Sequence, residues 1–101
     1  AAAPVRLVRV IWTPEAEADR LAIMDHIAAD DPGAAARMDQ LFSDFAASLA
    51  RFPLRGRPGT IAGTRELIPH PSYRLVCETE GETVWILVLV HAARQWPPDR
   101  G

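Results

Sequence analysis

A polar cluster directly follows the most apolar segment of the chain. Residues 84–90 are uninterrupted apolar side chains, and His91, Arg94 and Gln95 come after them, with Trp96 and two prolines closing the segment. Such a run predicts a strand buried on both faces, and the prolines end regular structure after it. A rigid strand that ends in an imidazole and a guanidinium holds both groups in place for anion binding or proton transfer. We therefore predict a functional edge of a sheet at this point.

Three arginines from the late strands or their ends are further candidates for chemistry. They are Arg65, Arg74 and Arg94. One interpretation is surface ion pairing, for instance with Glu66 or Glu78, which contributes little to stability. In the other interpretation they converge on one sheet face beside His91 and Tyr73. Planar guanidinium groups gathered there would bind an anionic partner.

The histidines and the cysteine do not predict a metal site. The chain has three histidines, His26, His70 and His91, and a single cysteine, Cys77. It has none of the HxH, HxxxH or paired-cysteine spacings that are typical of metal ligands. A chain of 101 residues also leaves little room for an enclosed cofactor site. We predict neither a metal nor a cofactor.

The charges of the chain are segregated, although the net charge is only −2. Residues 13–50 carry eight acids and two arginines, a net −6, whereas residues 51–74 carry five arginines and one acid, a net +4. All basic residues are arginines, which bind phosphate and carboxylate as a planar fork but are poor general bases. Residues 55–59, RGRPG, contain the residue types of a phosphate-binding loop. They lack its strand–loop–helix context, so a solvated connection is favoured there.

Two helices are predicted in the first half of the chain. Thr13-Pro14 and Asp31-Pro32 each combine an N-cap with a proline at the first helical position. Apolar residues recur at three- and four-residue spacing after each cap. The two stripes are Ala18, Leu21, Met24, Ile27 and Ala28, then Ala35, Met38, Leu41, Phe42, Phe45, Leu49 and Phe52. The turn between the helices is so short that they must form an antiparallel hairpin.

Strands account for the remaining elements. Residues 5–12 alternate and predict a first strand, and residues 54–63 predict the longest loop. Three late strands, 64–68, 73–79 and 84–90, form an antiparallel meander. The apolar last strand is expected inside the sheet, flanked by the first strand. The predicted class is α+β, in the order β-α-α-β-β-β, with a helical hairpin packed on one face of a small, mainly antiparallel four-stranded sheet.

Size and composition indicate one domain spanning residues 1–101, with residues 1–4 loose and residues 97–101 as a tail. No apolar run approaches the roughly 20 residues of a membrane span. The lone Cys77 excludes an internal disulfide and suits a reducing compartment. We therefore expect a cytoplasmic protein.

Four motifs, in order along nearly the whole chain, carry a resemblance to a known family. They are Trp12-Thr13-Pro14-Glu15-Ala16, Gly63-Thr64-Arg65-Glu66-Leu67, His70-Pro71-Ser72-Tyr73-Arg74-Leu75-Val76 and His91-Ala92-Ala93-Arg94-Gln95-Trp96-Pro97. Each motif is weak alone, but together with the β-α-α-β-β-β order they are specific. The chain resembles the RelE/ParE toxin superfamily.

This resemblance implies the toxin of a bacterial type II toxin–antitoxin module. Such a toxin inhibits growth until a small co-encoded antitoxin wraps it in a hetero-oligomeric complex. RelE-type members cut mRNA in the ribosomal A site, whereas ParE-type members poison DNA gyrase and have no known nuclease site. Residues 73–76 are shared with RelE-like sequences, while residues 70–73 and 91–97 look closer to ParE-like ones.

The chemistry of RNA cleavage helps to choose between these activities. Attack by a 2′-hydroxyl needs a proton acceptor, a proton donor and cationic stabilisation of the phosphorane. RelE-type sites use Lys, Arg and a late Tyr, but this chain has no Lys and its only Tyr precedes Arg74. The resemblance implies that Arg74 is the candidate for stabilising the phosphate. His91 or His70 would have to take the place of the proton acceptor and donor of RelE-type sites. The catalytic set of a ribonuclease would be Arg74, His91 and Arg94.

Three hypotheses follow. The favoured one is a ParE-like binding poison, because negative net charge suits ribosome binding poorly. The alternatives are a ribosome-dependent endoribonuclease and a non-toxic module that only binds an antitoxin. We expect an apolar groove between the hairpin and the sheet, with nearby arginines, that accepts an acidic amphipathic antitoxin segment. The predicted partner- and target-binding residues are Arg51, Arg55, Arg57, Arg65, His70, Tyr73 and Trp96.

Overall fold

The computed structural model describes residues 7–92 and 96–97. The predicted loose residues 1–4, the first two residues of the predicted first strand, and Arg94 and Gln95 of the polar cluster lie outside the described residues. So does all of the predicted tail except Pro97. Within the described part, no helix is long and apolar enough to cross a membrane.

Two helices and five strands make up the fold. The strands are β1 (Arg9–Trp12), β2 (Arg57–Pro58), β3 (Thr64–His70), β4 (Tyr73–Glu80) and β5 (Thr83–His91), and the helices are α1 (Pro14–Ala28) and α2 (Pro32–Arg51). The strands form one sheet in the order β1-β5-β4-β3-β2. β1 runs parallel to β5, and the other neighbours are antiparallel. The predicted α+β class is confirmed, with one strand more than the four predicted.

The position of the last strand follows from its composition. β5 lies between β1 and β4, as its doubly apolar sequence predicts. Its Val84 and Ile86 are fully buried under the helices, and Val90 is buried on the opposite face. Between β1 and β5 the chain passes through both helices and then through β2, β3 and β4, which gives the long connection that parallel neighbours require.

Both helices begin at the predicted caps. The hydroxyl oxygen of Thr13 accepts the amide hydrogen of Ala16 at 3.1 Å, and the Asp31 carboxylate accepts that of Ala34 at 3.0 Å. Such caps contribute about 1 kcal/mol each. Only residues 29–31 separate the helices, so they pack as the predicted antiparallel hairpin.

The predicted buried stripe of α1 is partly wrong. Ala18 and Leu21 are exposed, and the fully buried residue of this helix is Ala16. Met24 of the stripe packs against the core, but the inner side of α1 also holds polar groups with specific partners. Asp19 accepts the amide hydrogen of Leu89 at 3.0 Å, and Arg20 donates to Asp39 at 2.7 Å. Since these polar groups are satisfied, the helix can turn them inward.

Two boundaries around β3 also differ from the prediction. The segment predicted as a loop contains β2, a two-residue strand that pairs with Glu66 and Arg65. Pro69, which lies beyond the end of the predicted strand 64–68, belongs to β3, where the pairing with β4 shifts register between Leu67 and His70. A proline has no amide hydrogen to donate to a ladder, so it is accommodated at such an irregularity.

The core lies between the hairpin and one face of the sheet. α2 contributes Phe42, Ala46 and Leu49, and the sheet contributes Leu67, Leu75, Cys77, Val84, Ile86 and Leu89. Phe52, predicted as the last residue of the α2 stripe, is 59% exposed. It is the C-cap of α2, where the chain leaves helical geometry and turns the side chain away from the core.

Candidate functional site

A buried carboxylate organises the sheet face opposite the helices. The side chain of Glu66 in β3 is only 3% exposed, and it lies 3.4 Å from the Nη1 of Arg74 in β4 and 3.7 Å from the Nη2 of Arg57 in β2. The backbone amide of Thr60 donates to the same carboxylate at 3.2 Å. Glu66 therefore joins three strands and the loop before β3. We call Arg57, Thr60, Glu66 and Arg74 the Glu66 cluster.

Arg74 and Tyr73 point to opposite faces of the sheet. Tyr73 pairs with His91 across the β4–β5 ladder, and Arg74 pairs with Val90. Because side chains alternate along a strand, Tyr73 and His91 share the helix-facing side while Arg74 lies on the other. The predicted convergence of Arg74 with His91 and Tyr73 on one face is therefore not found.

Three aromatic rings form a row on the helix-facing side. The ring of Tyr73 lies 6.0 Å from that of His70 and 5.5 Å from that of His91, and it meets Phe42 edge-on at 5.7 Å. His70 Nδ1 accepts the amide hydrogen of Ser72 at 3.0 Å, which holds this imidazole in the β3–β4 turn. The structure thus brings together three of the predicted site residues, His70, Tyr73 and His91.

A groove runs beside this row, between α1 and the end of β5. It has a volume of about 270 Å³ and is lined by Asp19, Ile23, His26, Tyr73, Leu89 and His91, among others. Two imidazoles, a phenol and a carboxylate border it. His26 and Asp19 were not predicted as site residues, because only the packing of α1 onto β5 brings them to this groove. We call it the α1–β5 groove.

Two side chains, one from the N-cap of α1 and one from α1 itself, form hydrogen bonds with the backbone of β5 beyond the end of β1. The hydroxyl of Thr13 donates to the carbonyl oxygen of Leu87 at 2.9 Å, and Asp19 accepts from Leu89. β1 pairs with β5 only as far as Ile86, so these side chains satisfy backbone groups that a strand would otherwise pair. Both contacts bridge more than 65 residues of sequence, which is why helix periodicity did not reveal them.

A second groove lies at the C-terminal end of α2. It has a volume of about 690 Å³ and is lined by Arg51, Phe52, Pro53, Leu54 and Arg55. Arg55 stacks over the ring of Phe45 at 4.5 Å and donates to Ser48 at 2.7 Å. The predicted partner residues Arg51 and Arg55 therefore lie together, beside two exposed apolar side chains. We call this the 51–55 groove.

The remaining predicted residues are dispersed. Arg65 donates to the carbonyl oxygen of Gly56 at 3.2 Å, and Arg57 belongs to the Glu66 cluster. Arg65 pairs across the ladder with Cys77, so it does not share a face with Arg74. Trp96 is half-buried, and Arg94 lies outside the described residues. Arg74 does form an ion pair with Glu66, as one interpretation of the sequence predicts, but the pair is buried and not at the surface.

Neither histidines nor the cysteine form a metal site among the residues that the structure describes. Cys77 lies in the core, where burial raises the pKa of its thiol to about 12. A thiol in that state is neutral at physiological pH, so it acts as a small apolar side chain and not as a nucleophile or ligand.

Comparison with known proteins places this geometry in a family context. Residues 10–96 match the family described as the ParE toxin of the type II toxin–antitoxin system parDE. A protein of Caulobacter vibrioides named Toxin RelE2 is 41% identical over 88 residues, which are 87% of this chain and 99% of that relative.

Solved structures show the same fold. The chromosomal ParDE toxin–antitoxin system from P. aeruginosa matches with a TM-score of 0.77 and 24% identity, covering 85% of this chain and 97% of that chain. The RelBE2 toxin–antitoxin complex from Mycobacterium tuberculosis matches with a TM-score of 0.63 and 26% identity, covering 90% and 98% respectively. The similar proteins thus bear both ParE and RelE names.

Proposed function

We propose, because this chain belongs to the ParE toxin family of type II toxin–antitoxin systems, that it inhibits growth as a ParE-like binding poison of DNA gyrase. Its membership of the RelE/ParE superfamily makes it the toxin of such a module. The proposed action is surface contact with the target and not bond cleavage. We expect it to act in the cytoplasm, where its proposed target is found.

The position of Arg74 is the observation on which we base the choice between a binding poison and a ribonuclease. A ribonuclease would need this guanidinium beside the scissile phosphate and next to acid–base groups. Arg74 instead forms an ion pair with Glu66 and lies on the sheet face opposite His91. A carboxylate that already neutralises an arginine competes with any phosphate for it. This arrangement supports a binding poison.

An antitoxin is the partner of this chain. Similar solved structures include toxin–antitoxin complexes, and the chain covers nearly the whole length of the matched chains. A small protein encoded beside the toxin would bind it and neutralise it. The basic residues 51–65 of this chain offer a positively charged surface for that contact.

Two observations favour the RelE-like alternative. The α1–β5 groove is bordered by His26, His91, Tyr73 and Asp19, which are residue types that move protons in enzymes. A relative named Toxin RelE2 is 41% identical to this chain. If the chain cleaves mRNA on the ribosome, this groove is the place where we expect acid–base catalysis.

Inducing the protein in bacteria that lack its antitoxin tests the proposal. Plasmid supercoiling and the integrity of a translated mRNA are followed in the same culture. A gyrase poison should reduce negative supercoiling while the mRNA stays intact. A matched culture that expresses His91→Ala serves as the control for the alternative, since loss of an acid–base group lowers a cleavage rate about a hundredfold or more.

Three other outcomes contradict the proposal in different ways. Cleavage of mRNA that disappears with His91→Ala establishes the ribonuclease. Growth arrest with neither effect excludes gyrase and points to another target of a binding poison. Normal growth together with antitoxin binding identifies a module that has lost toxicity.

A further inference from the structure

We propose that the 51–55 groove is the docking site for an acidic, amphipathic segment of the antitoxin. The proposal rests on the proposed function only in taking an antitoxin as the partner. It does not depend on whether the toxin's target is gyrase or mRNA. It adds to that function a surface, the residues that form it and the chemistry of the segment that it binds.

The apolar half of the groove is formed by two neighbouring side chains. Phe52 is 59% exposed and Leu54 is 62% exposed, and Pro53 lies between them. Exposure of two large apolar side chains in one concave surface is unfavourable in water and is typical of a site that another protein covers. The volume of about 690 Å³ is sufficient for one or two anchoring side chains of a bound segment.

The other half of the groove is cationic. Residues 51–65 contain four arginines, Arg51, Arg55, Arg57 and Arg65, and no acidic residue. Arg51 and Arg55 line the groove itself. Glu66, the acidic residue that follows this segment, is buried and already shared between Arg57 and Arg74. The surface therefore carries an excess of positive charge that an acidic partner would neutralise.

The groove is held in shape before any partner binds. The amide of Arg55 donates to the carbonyl oxygen of Phe52 at 3.0 Å, which closes the turn. The guanidinium of Arg55 is held by Ser48 and by the ring of Phe45. From the sheet, Thr79 donates to the carbonyl oxygen of Pro53 at 3.4 Å. A surface with its backbone already ordered loses less entropy on binding.

The combination of these two halves identifies the occupant. The phosphates of a nucleic acid could bind the arginines, but they would make no favourable contact with the apolar side chains of Phe52 and Leu54. A purely apolar partner would leave Arg51 uncompensated. A helix with apolar residues on one face and Asp or Glu on the other satisfies both halves, in the helix-in-groove mode of recognition.

Binding of the antitoxin by paired variants tests the proposal. The probes are the purified product of the small open reading frame beside the toxin gene and a synthetic peptide of its C-terminal segment. Leu54→Asp introduces a charge into the groove, and Leu21→Asp introduces the same charge at an equally exposed leucine of α1. We expect Leu54→Asp to weaken the complex at least about tenfold and Leu21→Asp to change it less.

A second pair of variants tests the charge. Arg51→Glu reverses a charge in the groove, and Arg37→Glu reverses one near the start of the same helix, where Arg37 is well exposed. Arg51→Glu should weaken binding and reduce its dependence on salt, because a charge contact across the interface is lost. Circular dichroism and thermal melting of all four variants establish that the fold is retained.

Several results would overturn the docking site. Equal affinities of Leu54→Asp and the unmodified protein for the antitoxin would do so, as would a larger effect of Leu21→Asp. Binding of a DNA duplex or formation of a dimer that Leu54→Asp abolishes would assign the groove to another occupant. The protein could also bind the antitoxin through the groove and have no effect on gyrase. That result would support the docking site and contradict only the proposed target.

Discussion

Glu66 and Arg74 form an ion pair at 3.4 Å on the sheet face opposite the helices. They lie diagonally across the β3–β4 ladder, because Glu66 pairs directly with Val76. Tyr73, the residue before Arg74, faces the other side with His91. The ion pair and the aromatic row therefore start from adjacent residues but lie on opposite faces of the sheet. This placement on opposite faces is the basis of the proposed mechanism.

Replacing Glu66 by Gln should destabilise the protein. The variant keeps the shape of the side chain but removes the negative charge that faces Arg74, whose side chain is only 15% exposed. Removing one member of a buried ion pair costs about 3 kcal/mol of unfolding free energy. Urea unfolding measures this loss. Glu78→Gln, at an exposed position of the neighbouring strand β4, should change stability by less than about 0.5 kcal/mol. An equal, small effect of both variants would show that the Glu66 cluster contributes little.

Thr13→Ala should lower the melting temperature through two lost contacts. Its hydroxyl caps α1 and also donates to the carbonyl oxygen of Leu87, where the β4–β5 register skips one residue of β5. We expect a loss of about 1 to 2 kcal/mol, which corresponds to several degrees in a domain of this size. Thr13→Ser keeps the hydroxyl and should restore most of the stability. A serine variant as unstable as the alanine variant would assign the effect to the lost methyl group.

The sequence was sufficient for the elements whose signals are local. The sequence signals for the helix caps at Thr13 and Asp31 and for the apolar strand β5 come from residues that are neighbours in the chain. These signals were sufficient to predict the fold class. β2 was missed because two residues that include a proline carry no strand pattern. The inner face of α1 was misplaced because Asp19 and Arg20 find partners more than fifteen residues away. Such contacts exist only once the chain has folded.

The candidate site was predictable in composition but not in arrangement. His91, Tyr73 and Arg74 stand out as residue types, yet which of them share a face depends on the strand register. His26 joins the α1–β5 groove only through the packing of α1 on the sheet. In the sequence, Phe52 has the spacing that continues the apolar stripe of α2. In the structure its side chain is exposed, because the helix ends at Arg51. That exposure is what makes the 51–55 groove a candidate interface.

Cys77 should be unreactive until the protein unfolds. Burial raises the pKa of its thiol from 9.0 to about 12, so the thiolate fraction near neutral pH is about a thousandfold smaller than in an exposed cysteine. Labelling with iodoacetamide at pH 8, followed by mass spectrometry, should modify Cys77 only in denaturant. Rapid labelling of the native protein would show that the core around β4 opens easily.

The same shift predicts how stability changes at alkaline pH. The unfolded chain loses the Cys77 proton above its ordinary pKa, while the folded chain keeps it up to about 12. The contribution of this thiol to stability is therefore complete below pH 9 and falls as pH rises from 9 towards 12. Cys77→Ala should have a smaller dependence of unfolding free energy on pH in that window. Identical slopes for both proteins would contradict the shift.

Trp96→Ala should separate target binding from antitoxin binding. Trp96 is half-buried and lies beyond the rigid end of β5, away from the 51–55 groove in sequence. A tryptophan at an interface contributes about 2 kcal/mol or more, which is about thirtyfold in affinity. We expect weaker inhibition of the target with an unchanged antitoxin affinity. A variant that loses both activities and melts at a lower temperature would instead make Trp96 part of the core, and a fully stable, fully toxic variant would exclude both roles.

Titration of purified DNA gyrase with this protein is the most direct test of the central claim. Relaxed plasmid, ATP and gyrase are incubated with increasing amounts of toxin, and the products are separated on a gel after protein digestion. The account predicts that supercoiling decreases in proportion to added toxin, and that an equal amount of antitoxin restores it. Full supercoiling at a large molar excess of folded toxin, under conditions where the same preparation cleaves mRNA on translating ribosomes, would contradict the account.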